Sequence, residues 1–261
     1  MVDFNGEILA RLLSGKLIGS RVHFFREVDS TNDEAFKLAL EGAVEGTVVV
    51  ADAQRRGKGR LKRIWQSPAG CNLYTSLIIR PPPEPAHASR ITLMAGVAVA
   101  ELLSQYCPQV ALKWPNDVQI RGKKVSGILT EMRTSGKGID FIIVGIGINI
   151  NMRREDFGEE IRGISTSLRE ETGVEVPRVD LTVKLFENFA SWYVRYSGEG
   201  FEPIRDMWLK YSARARHVQV VSGDEVMRGE VMGIDGSGAL LLLDENKITR
   251  RIIAGDVAII G

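Results

Sequence analysis

The chain has 261 residues, with 34 Lys and Arg against 33 Asp and Glu and a formal net charge of +1. That balance argues against a protein that coats nucleic acid, because such domains carry a strong positive excess. An aromatic content of 7% leaves no surplus of stacking rings, 44% hydrophobic with 26% charged residues is ordinary globular material, and the length fits one large domain or one large plus one small.

Cys71 and Cys107 lie far apart in the chain and offer neither a disulfide framework nor a zinc site, so buried free thiols are expected. His23, His87 and His217 are isolated and lack metal-ligand spacing. The N-terminal MVDFNGEILARLL carries Asp3 and Glu7 where a secretory signal needs a basic start and an apolar run. The best apolar run, 91–103, is too short to cross a bilayer. A soluble, cytoplasmic protein without a membrane partner is the expectation.

In chain order, residues 5–16 can form one short helix. A strand over 22–25 precedes a helix over 30–41, with Thr31 and Glu34 as a capping box and Gly42 as its stop. A strand over 47–51 follows, and 54–63 has no apolar period and reads as a loop. A strand from Asn72 to Ile79 ends at Pro81-Pro82-Pro83, since proline cannot donate to a ladder. Ser89 to Tyr106 reads as a long core helix. Strands are expected around 110–113, 127–132 and 140–151, with turns at Pro115-Asn116-Asp117 and Ser135-Gly136. Leu185, Phe189, Trp192 and Tyr196 recur at helical spacing on a helix begun by Asp180, and Phe201, Ile204, Trp208 and Tyr211 on a shorter one. From about residue 214, short strands alternate with turns at Ser222-Gly223-Asp224, Asp235-Gly236 and Asp244-Glu245-Asn246, the pattern of a small β-barrel. The expected division is 1–213 and 214–261.

Four segments carry chemistry. Residues 54–63 hold Arg55, Arg56, Lys58, Arg60, Lys62 and Arg63 with no acid among them, and Gly57 and Gly59 permit close backbone approach. Such a loop suits a phosphate ligand or is merely solvated; Trp65 after it either anchors the loop or offers a face for an adenine ring. Lys113-Trp114-Pro115-Asn116-Asp117 is either a strand end with a buried Trp or the mouth of a site where Asp117 could hold Mg²⁺ beside phosphates. Gly122-Lys123-Lys124-Val125-Ser126-Gly127-Ile128-Leu129 is a hairpin with a basic tip, or it sends one lysine toward a substrate carboxylate. Alternate glycines in Val144-Gly145-Ile146-Gly147-Ile148-Asn149-Ile150-Asn151 mean that something packs hard on that strand, a helix or a ligand; the spacing is not that of a dinucleotide fold.

Taken in this order, the segments resemble those of biotin protein ligases. Ser30-Thr31-Asn32 resembles that family's STN motif. Gln54 with Gly57-Lys58-Gly59-Arg60 and Arg63-Ile64-Trp65 resembles its GRGRxGRxW loop, and Lys113 through Asp117 matches KWPND. Lys124 through Leu129 resembles K[LIV]xGIL, and Gly145 through Asn149 resembles GxGIN. The likeness covers nearly the whole chain. It implies an α+β, class II aminoacyl-tRNA-synthetase-like catalytic domain with a mixed sheet, followed by a small SH3-like barrel.

The resemblance also implies a two-step, ATP-dependent ligation. A biotin carboxylate attacks the α-phosphate of ATP, pyrophosphate leaves, and an acceptor lysine of a biotin carboxyl carrier protein then displaces AMP. The implied catalytic residues are Arg60, Lys124, Lys113 and Asp117, with Mg²⁺ at Asp117. Implied around biotin are Ser30, Thr31, Asn32, Gln54, Gly57, Lys58, Lys124, Gly127, Gly145, Gly147 and Ile148. Implied around ATP and the adenylate are Lys58, Gly59, Arg60, Arg63, Trp65, Asn116, Lys124 and Asn149. The loop over 54–63 is expected to close and exclude water from the adenylate.

Two positions depart from the family's pattern: Lys58 stands for Arg, and Lys62 for Gly. Only twenty-odd residues precede the Val28–Asn32 segment, too few for a winged-helix DNA-binding domain, so a ligase without DNA as a partner is expected. A homodimer through sheet edges is in keeping with the family. The alternatives are a lipoate ligase of the same fold and a non-catalytic nucleic-acid-binding module. The six cations of 54–63 leave −5 for the rest of the chain, so a local cationic loop sits on a mildly acidic protein.

Overall fold

The computed structural model describes residues 4–81, 87–136, 138–212 and 217–260. The boundary expected near 213 and the prolines at 82 and 83 lie outside the described residues. In chain order the elements are α1 (Gly6–Leu12), β1 (Arg21–Val28), α2 (Thr31–Leu40), β2 (Thr47–Gln54), β3 (Leu73–Ile79), α3 (His87–Ser104), β4 (Val110–Lys113), β5 (Asp117–Ile120), β6 (Lys123–Ser135) and β7 (Gly138–Ile148). They continue with α4 (Glu159–Arg162), α5 (Leu168–Thr172), α6 (Arg178–Glu199), α7 (Glu202–Tyr211), β8 (Val218–Ser222), β9 (Glu225–Ile234), β10 (Leu240–Asp244), β11 (Thr249–Ile252) and β12 (Asp256–Ile259).

Seven strands make a mixed sheet in the order β1-β2-β3-β7-β6-β5-β4, in which β1 and β2 are parallel and the other pairs antiparallel. The period of two along each strand separates its faces. Val48, Val50, Leu77, Ile79, Ile142 and Val144 face the large core beneath α3, α6 and α7, whereas Val49, Ile78, Phe141 and Ile143 pack with Ala35 and Ala39 of α2 on the other face. Helix α3 carries the apolar run Ile91–Leu103 into that core, where full burial of each large aliphatic side chain is worth about 1.5–3 kcal/mol.

Several local expectations are corrected. At the start of α2 the N-cap is Ser30, and no side chain caps the helix, so the Thr31–Glu34 capping box does not form. The Thr31 hydroxyl is drawn instead to Gln54 and Ser76. Asp33 and Glu34 still favour the first turn, where the helix dipole is positive. Strand β5 was not expected; the turn at Pro115-Asn116 is tighter than foreseen, and Asp117 already pairs in the β4–β5 hairpin. Residues 149–151 leave the sheet, and α4 and α5 are additional. Cys107 is buried, but Cys71 is only half-buried.

After residue 217 the strands form a five-stranded antiparallel sheet in the order β11-β10-β9-β8-β12. Its edges β11 and β12 do not pair among the described residues, so the expected barrel is an open sheet. Trp114 joins the two sheets: it is buried and its Nε1 donates to Gly238 O at 3.0 Å. The Trp114–Pro115 peptide is cis.

Candidate active site

The α2 face of the seven-stranded sheet lacks side chains at one place. In the register of β3, β7 and β6, Tyr74 pairs with Gly147 and Gly147 with Gly127, while Ser76 pairs with Gly145 and Gly145 with Leu129. This glycine floor lies under a cleft of about 610 Å³, a size suited to a small-molecule substrate. The space is needed. A Cβ on Gly145 would stand 2.1 Å from Asn32 Oδ1, and one on Gly147 would stand 2.6 Å from Trp65 Nε1. Asn32, from helix α2, stands over Gly145, and the indole of Trp65 stands over Gly147.

The rest of the cleft is built from the motif segments. All the residues expected at the site line it except Gly57 and Ile148. Ile148 follows Gly147 by one residue, so it faces the opposite side of the sheet and lies wholly buried in the large core. Gly57 belongs to the loop's framework: its carbonyl accepts from Trp65 N–H at 2.8 Å, and a Cβ there would meet Trp65 O at 2.4 Å.

At one end of the cleft, Thr31 N–H and the Thr31 hydroxyl reach Gln54 Oε1 at 2.8 and 3.2 Å. Ser76 Oγ lies 2.8 Å from Thr31 Oγ1 and 2.6 Å from Asn32 Oδ1. Asn32 Nδ2 donates to Glu131 Oε2 at 2.7 Å and to Leu129 O at 3.3 Å. Asn32 is therefore fully engaged by the protein, and its part at the site is to hold neighbours in place.

At the other end Lys124 Nζ and Asp117 Oδ1 form an ion pair of 2.5 Å, and Lys124 also lies 5.4 Å from the centre of the Trp65 ring. A bulge between the Val118–Ser126 and Gln119–Lys124 pairs lets Val125 enter the core while Lys124 turns into the cleft. Asn116 Nδ2 donates to Ile128 O at 2.8 Å, and Asn149 Nδ2 to Thr166 O at 3.1 Å. The latter bond fixes the segment whose Met152, Phe157, Ile161 and Ile164 form an apolar wall of the cleft.

The cationic loop is a small hairpin. Gly59 N–H donates to Arg63 O at 2.8 Å, and Lys58 pairs with Ile64. At its tip Leu61 and Lys62 adopt φ of 53° and 60°. Lys62 thus holds the left-handed conformation that glycine takes freely, at a cost of about 1–2 kcal/mol for an L-residue. Four of the six cations are paired. Arg55 meets Asp29 at 2.6 Å and Glu27 at 3.2 Å. Lys58 meets Asp33 and, at 3.6 Å, Glu131. Arg60 meets Asp256 at 3.4 Å, Gly255 O at 3.1 Å and Asn116 Oδ1 at 3.3 Å, and Arg63 meets Asp256. Lys58 and Asp29 are shifted by their partners. Burial alone would lower the Lys58 ammonium, but Asp33 and Glu131 outweigh it and raise it. The hydrogen bond from Arg55 holds the Asp29 carboxyl below its usual range. Burial pushes the Cys71 thiol up to about 11, which leaves it protonated and unreactive.

Sequence reasoning missed Glu131, Asp256 and the apolar wall over 152–164. Glu131 shares the phase of Gly127 and Leu129 and was in principle readable from it. Nothing near Asp256 in the sequence ties it to a loop nearly two hundred residues earlier.

With this geometry in hand, the likeness to known proteins is direct. Residues 24–149 match the biotin/lipoate A/B protein ligase family, and residues 216–259 the biotin protein ligase C-terminal domain. The biotin–[acetyl-CoA-carboxylase] ligase of Paracoccus denitrificans is 38% identical over 220 residues, covering 82% of this chain and 90% of that protein. The bifunctional ligase/repressor BirA of Bacillus subtilis is 35% identical over 247 residues, covering 94% of this chain and 76% of that protein. The biotin protein ligase from Aquifex aeolicus, solved in complex with biotin and ATP, superposes with a TM-score of 0.79 at 31% identity, covering 91% of this chain and 97% of that one. These matches run through both sheets and nearly the whole length of the chain, and this chain belongs to the biotin protein ligase family.

Proposed function

We propose that the chain is an ATP-dependent biotin protein ligase that makes biotinyl-5'-AMP and transfers biotin to a lysine of a biotin carboxyl carrier protein. The observation that carries this reading is the glycine floor, with hydrogen-bonding groups at one end and Lys124, Arg60 and Arg63 at the other. A bicyclic urea needs donors and acceptors, which Ser30, Thr31 and Gln54 supply. Its apolar ring and tail need a flat surface, which Gly127 and Gly147 leave once the Trp65 indole moves, beside Gly145 with Asn32 over it. Ile148 has no part in that wall.

In the first step a carboxylate oxygen of biotin attacks the α-phosphorus, and the bond to the bridging oxygen breaks as pyrophosphate leaves. Phosphoryl transfer asks chiefly for positioning and charge neutralisation. Lys124 would hold the attacking carboxylate, and Arg60, Arg63 and Lys113 the phosphates. Lys58 is fastened to Asp33 and Glu131, so its role is to hold the loop closed. The segment with Phe157, Ile161 and Ile164 offers a wall for the adenine, and Trp65 a second face. In the second step the acceptor amine attacks the acyl carbon, the carbon–oxygen bond to AMP breaks, and the ammonium proton passes to solvent.

Among the described residues no three His, Cys, Asp or Glu side chains cluster as a metal cage. A lone Asp117 fits Mg²⁺, which is held by one or two carboxylates together with substrate phosphates. Bound there, Mg²⁺ would supply charge neutralisation on the triphosphate, and Lys124 would exchange Asp117 for the biotin carboxylate.

The two family matches, which end at 149 and begin at 216, support the division at about 213. Strand β1 is an outer edge of the sheet and suits pairing in a homodimer, whereas β4 is bridged by Ser212. The near-neutral charge supports a ligase that does not take DNA as a partner. A cytoplasmic site of action is part of this reading; no helix among the described residues is long and apolar enough to cross a membrane. The deciding experiment incubates the protein with ATP, Mg²⁺, biotin and a biotin carboxyl carrier domain. The expected result is a mass gain of one biotinyl group on the acceptor lysine, with no gain when lipoate replaces biotin. An acceptor of unchanged mass would overturn the reading.

A further inference from the structure

Glu131 belongs to none of the motifs above, yet its two oxygens serve two different parts of the site. It lies on β6 in the phase of Gly127 and Leu129, facing the cleft side of the sheet, opposite Ile143 in register. Oε2 accepts from Asn32 Nδ2 at 2.7 Å, and Oε1 lies 3.6 Å from Lys58 Nζ on the loop. Asn32 is 3% exposed and sits where a Cβ on Gly145 would otherwise be, so it can shift only if its partners do.

From Asn32 the hydrogen bonds continue through Ser76 and Thr31 to Gln54. Gln54 Nε2 donates to Ser67 Oγ at 2.9 Å, and Ser67 Oγ donates to Trp65 O at 2.9 Å. The chain of contacts thus starts on the outgoing arm of the loop at Lys58 and ends on its return arm at Trp65. On the way it passes the end of the cleft assigned to the urea ring. Asp33 also holds Lys58, but it stands outside this chain of contacts.

We propose that Glu131 is a positioning residue that couples occupancy of the ring-binding end to closure of the 54–63 loop. The proposal rests on the biotin-ligase reading for the identity of the ligand. A carboxylate is needed because it alone accepts from the Asn32 amide and attracts the Lys58 ammonium at once. Glutamine would keep the first contact and lose the second; alanine would lose both.

The test compares the full-length wild type with Asp33→Asn, Glu131→Gln and Glu131→Ala. Trypsin cleavage within 55–63 is timed with and without biotin, and biotin KM and kcat are measured by pyrophosphate release. Without ligand, Asp33→Asn and Glu131→Gln should each be cleaved about two- to fivefold faster than wild type, as expected for loss of one exposed ion pair when cleavage follows the open population. Glu131→Ala should also raise the biotin KM by about two- to fivefold with a smaller change in kcat, and biotin should protect its loop less. Glu131→Gln should restore the biotin KM but not the ligand-free protection. Wild-type KM and wild-type protection by biotin in Glu131→Ala would overturn the proposal, as would a KM defect that glutamine fails to restore. If Glu131→Ala does not fold, Glu131→Gln against Asp33→Asn decides: biotin should protect the Asp33→Asn loop as it does the wild type and the Glu131→Gln loop less, and equal protection of the two would overturn the proposal. A wild type that releases no pyrophosphate with biotin and ATP would sink the ligase reading, and the ligand-free cleavage order would still report on the latch.

Discussion

The two sheets contribute to the cleft in opposite ways. The seven-stranded sheet gives a floor made by removing side chains, Gly127, Gly145 and Gly147, and surrounds it with groups fixed by hydrogen bonds. The five-stranded sheet reaches in with its β12 edge, where Asp256 meets Arg60 and Arg63, and with a few apolar neighbours. The first contribution is shape, set by register and core packing. The second is charge, delivered from the smaller sheet to the loop of the larger one by one carboxylate. The first is lost by adding one side chain at Gly145 or Gly147, the second by removing one carboxylate.

That contrast can be broken from its strongest side. Lys124→Ala removes the cation that the β6 bulge aims into the cleft, and biotin-dependent pyrophosphate release should fall about a hundredfold, the usual cost of one preorganised electrostatic contact. The melting temperature should change little. A rate within threefold of wild type would show that Lys124 is not the group holding the substrate carboxylate.

Asp256→Ala probes the smaller sheet. Arg60 keeps Gly255 O and Asn116, and Arg63 loses its partner. The ATP KM should shift by about two- to fivefold, in keeping with a partly exposed pair. Released adenylate should label bystander lysines more heavily, read by mass spectrometry of an added carrier protein without an acceptor site. Unchanged labelling would confine the role of Asp256 to fold.

The smallest effect concerns the smaller sheet alone. Burial opposes ionisation of Asp235, but hydrogen bonds from Ser237, Ala239 and Arg251 outweigh it and hold the carboxyl far below its usual range. A depressed folded-state pKa contributes stability above the unfolded value near 4, and that contribution disappears as pH falls through the folded value. Asp235→Asn should cost about 1 kcal/mol at pH 7. The gap between the variant and the wild type should narrow below about pH 4 in thermal unfolding. A gap that stays constant from pH 7 to pH 3 would contradict this assignment.

How much of this was legible in the sequence follows from the range of each interaction. Motif residues such as Lys124, Asn116 and Gly147 announce themselves because a tight turn or a close approach restricts the residue type locally. Ile148 was misplaced although the period of two, applied from Gly147, puts it on the far face. The aim of Lys124 depends on a bulge with no signal of its own. The Thr31 capping box failed because tertiary partners, Gln54 and Ser76, outbid a local one. Asp256 meets Arg60 only after both sheets have folded, and Trp114 finds Gly238 in the same way.

The paired state of the hairpin has a consequence for its response to salt. Six free cations would gather small anions from solution, and binding a triphosphate would release them, giving a steep dependence on ionic strength. Here four of the six already have carboxylates of the protein as resident counterions. A triphosphate that takes Arg60 and Arg63 exchanges with Asp256, so fewer small ions are set free. ATP binding by this loop should therefore weaken with added salt by much less than its count of positive charges suggests.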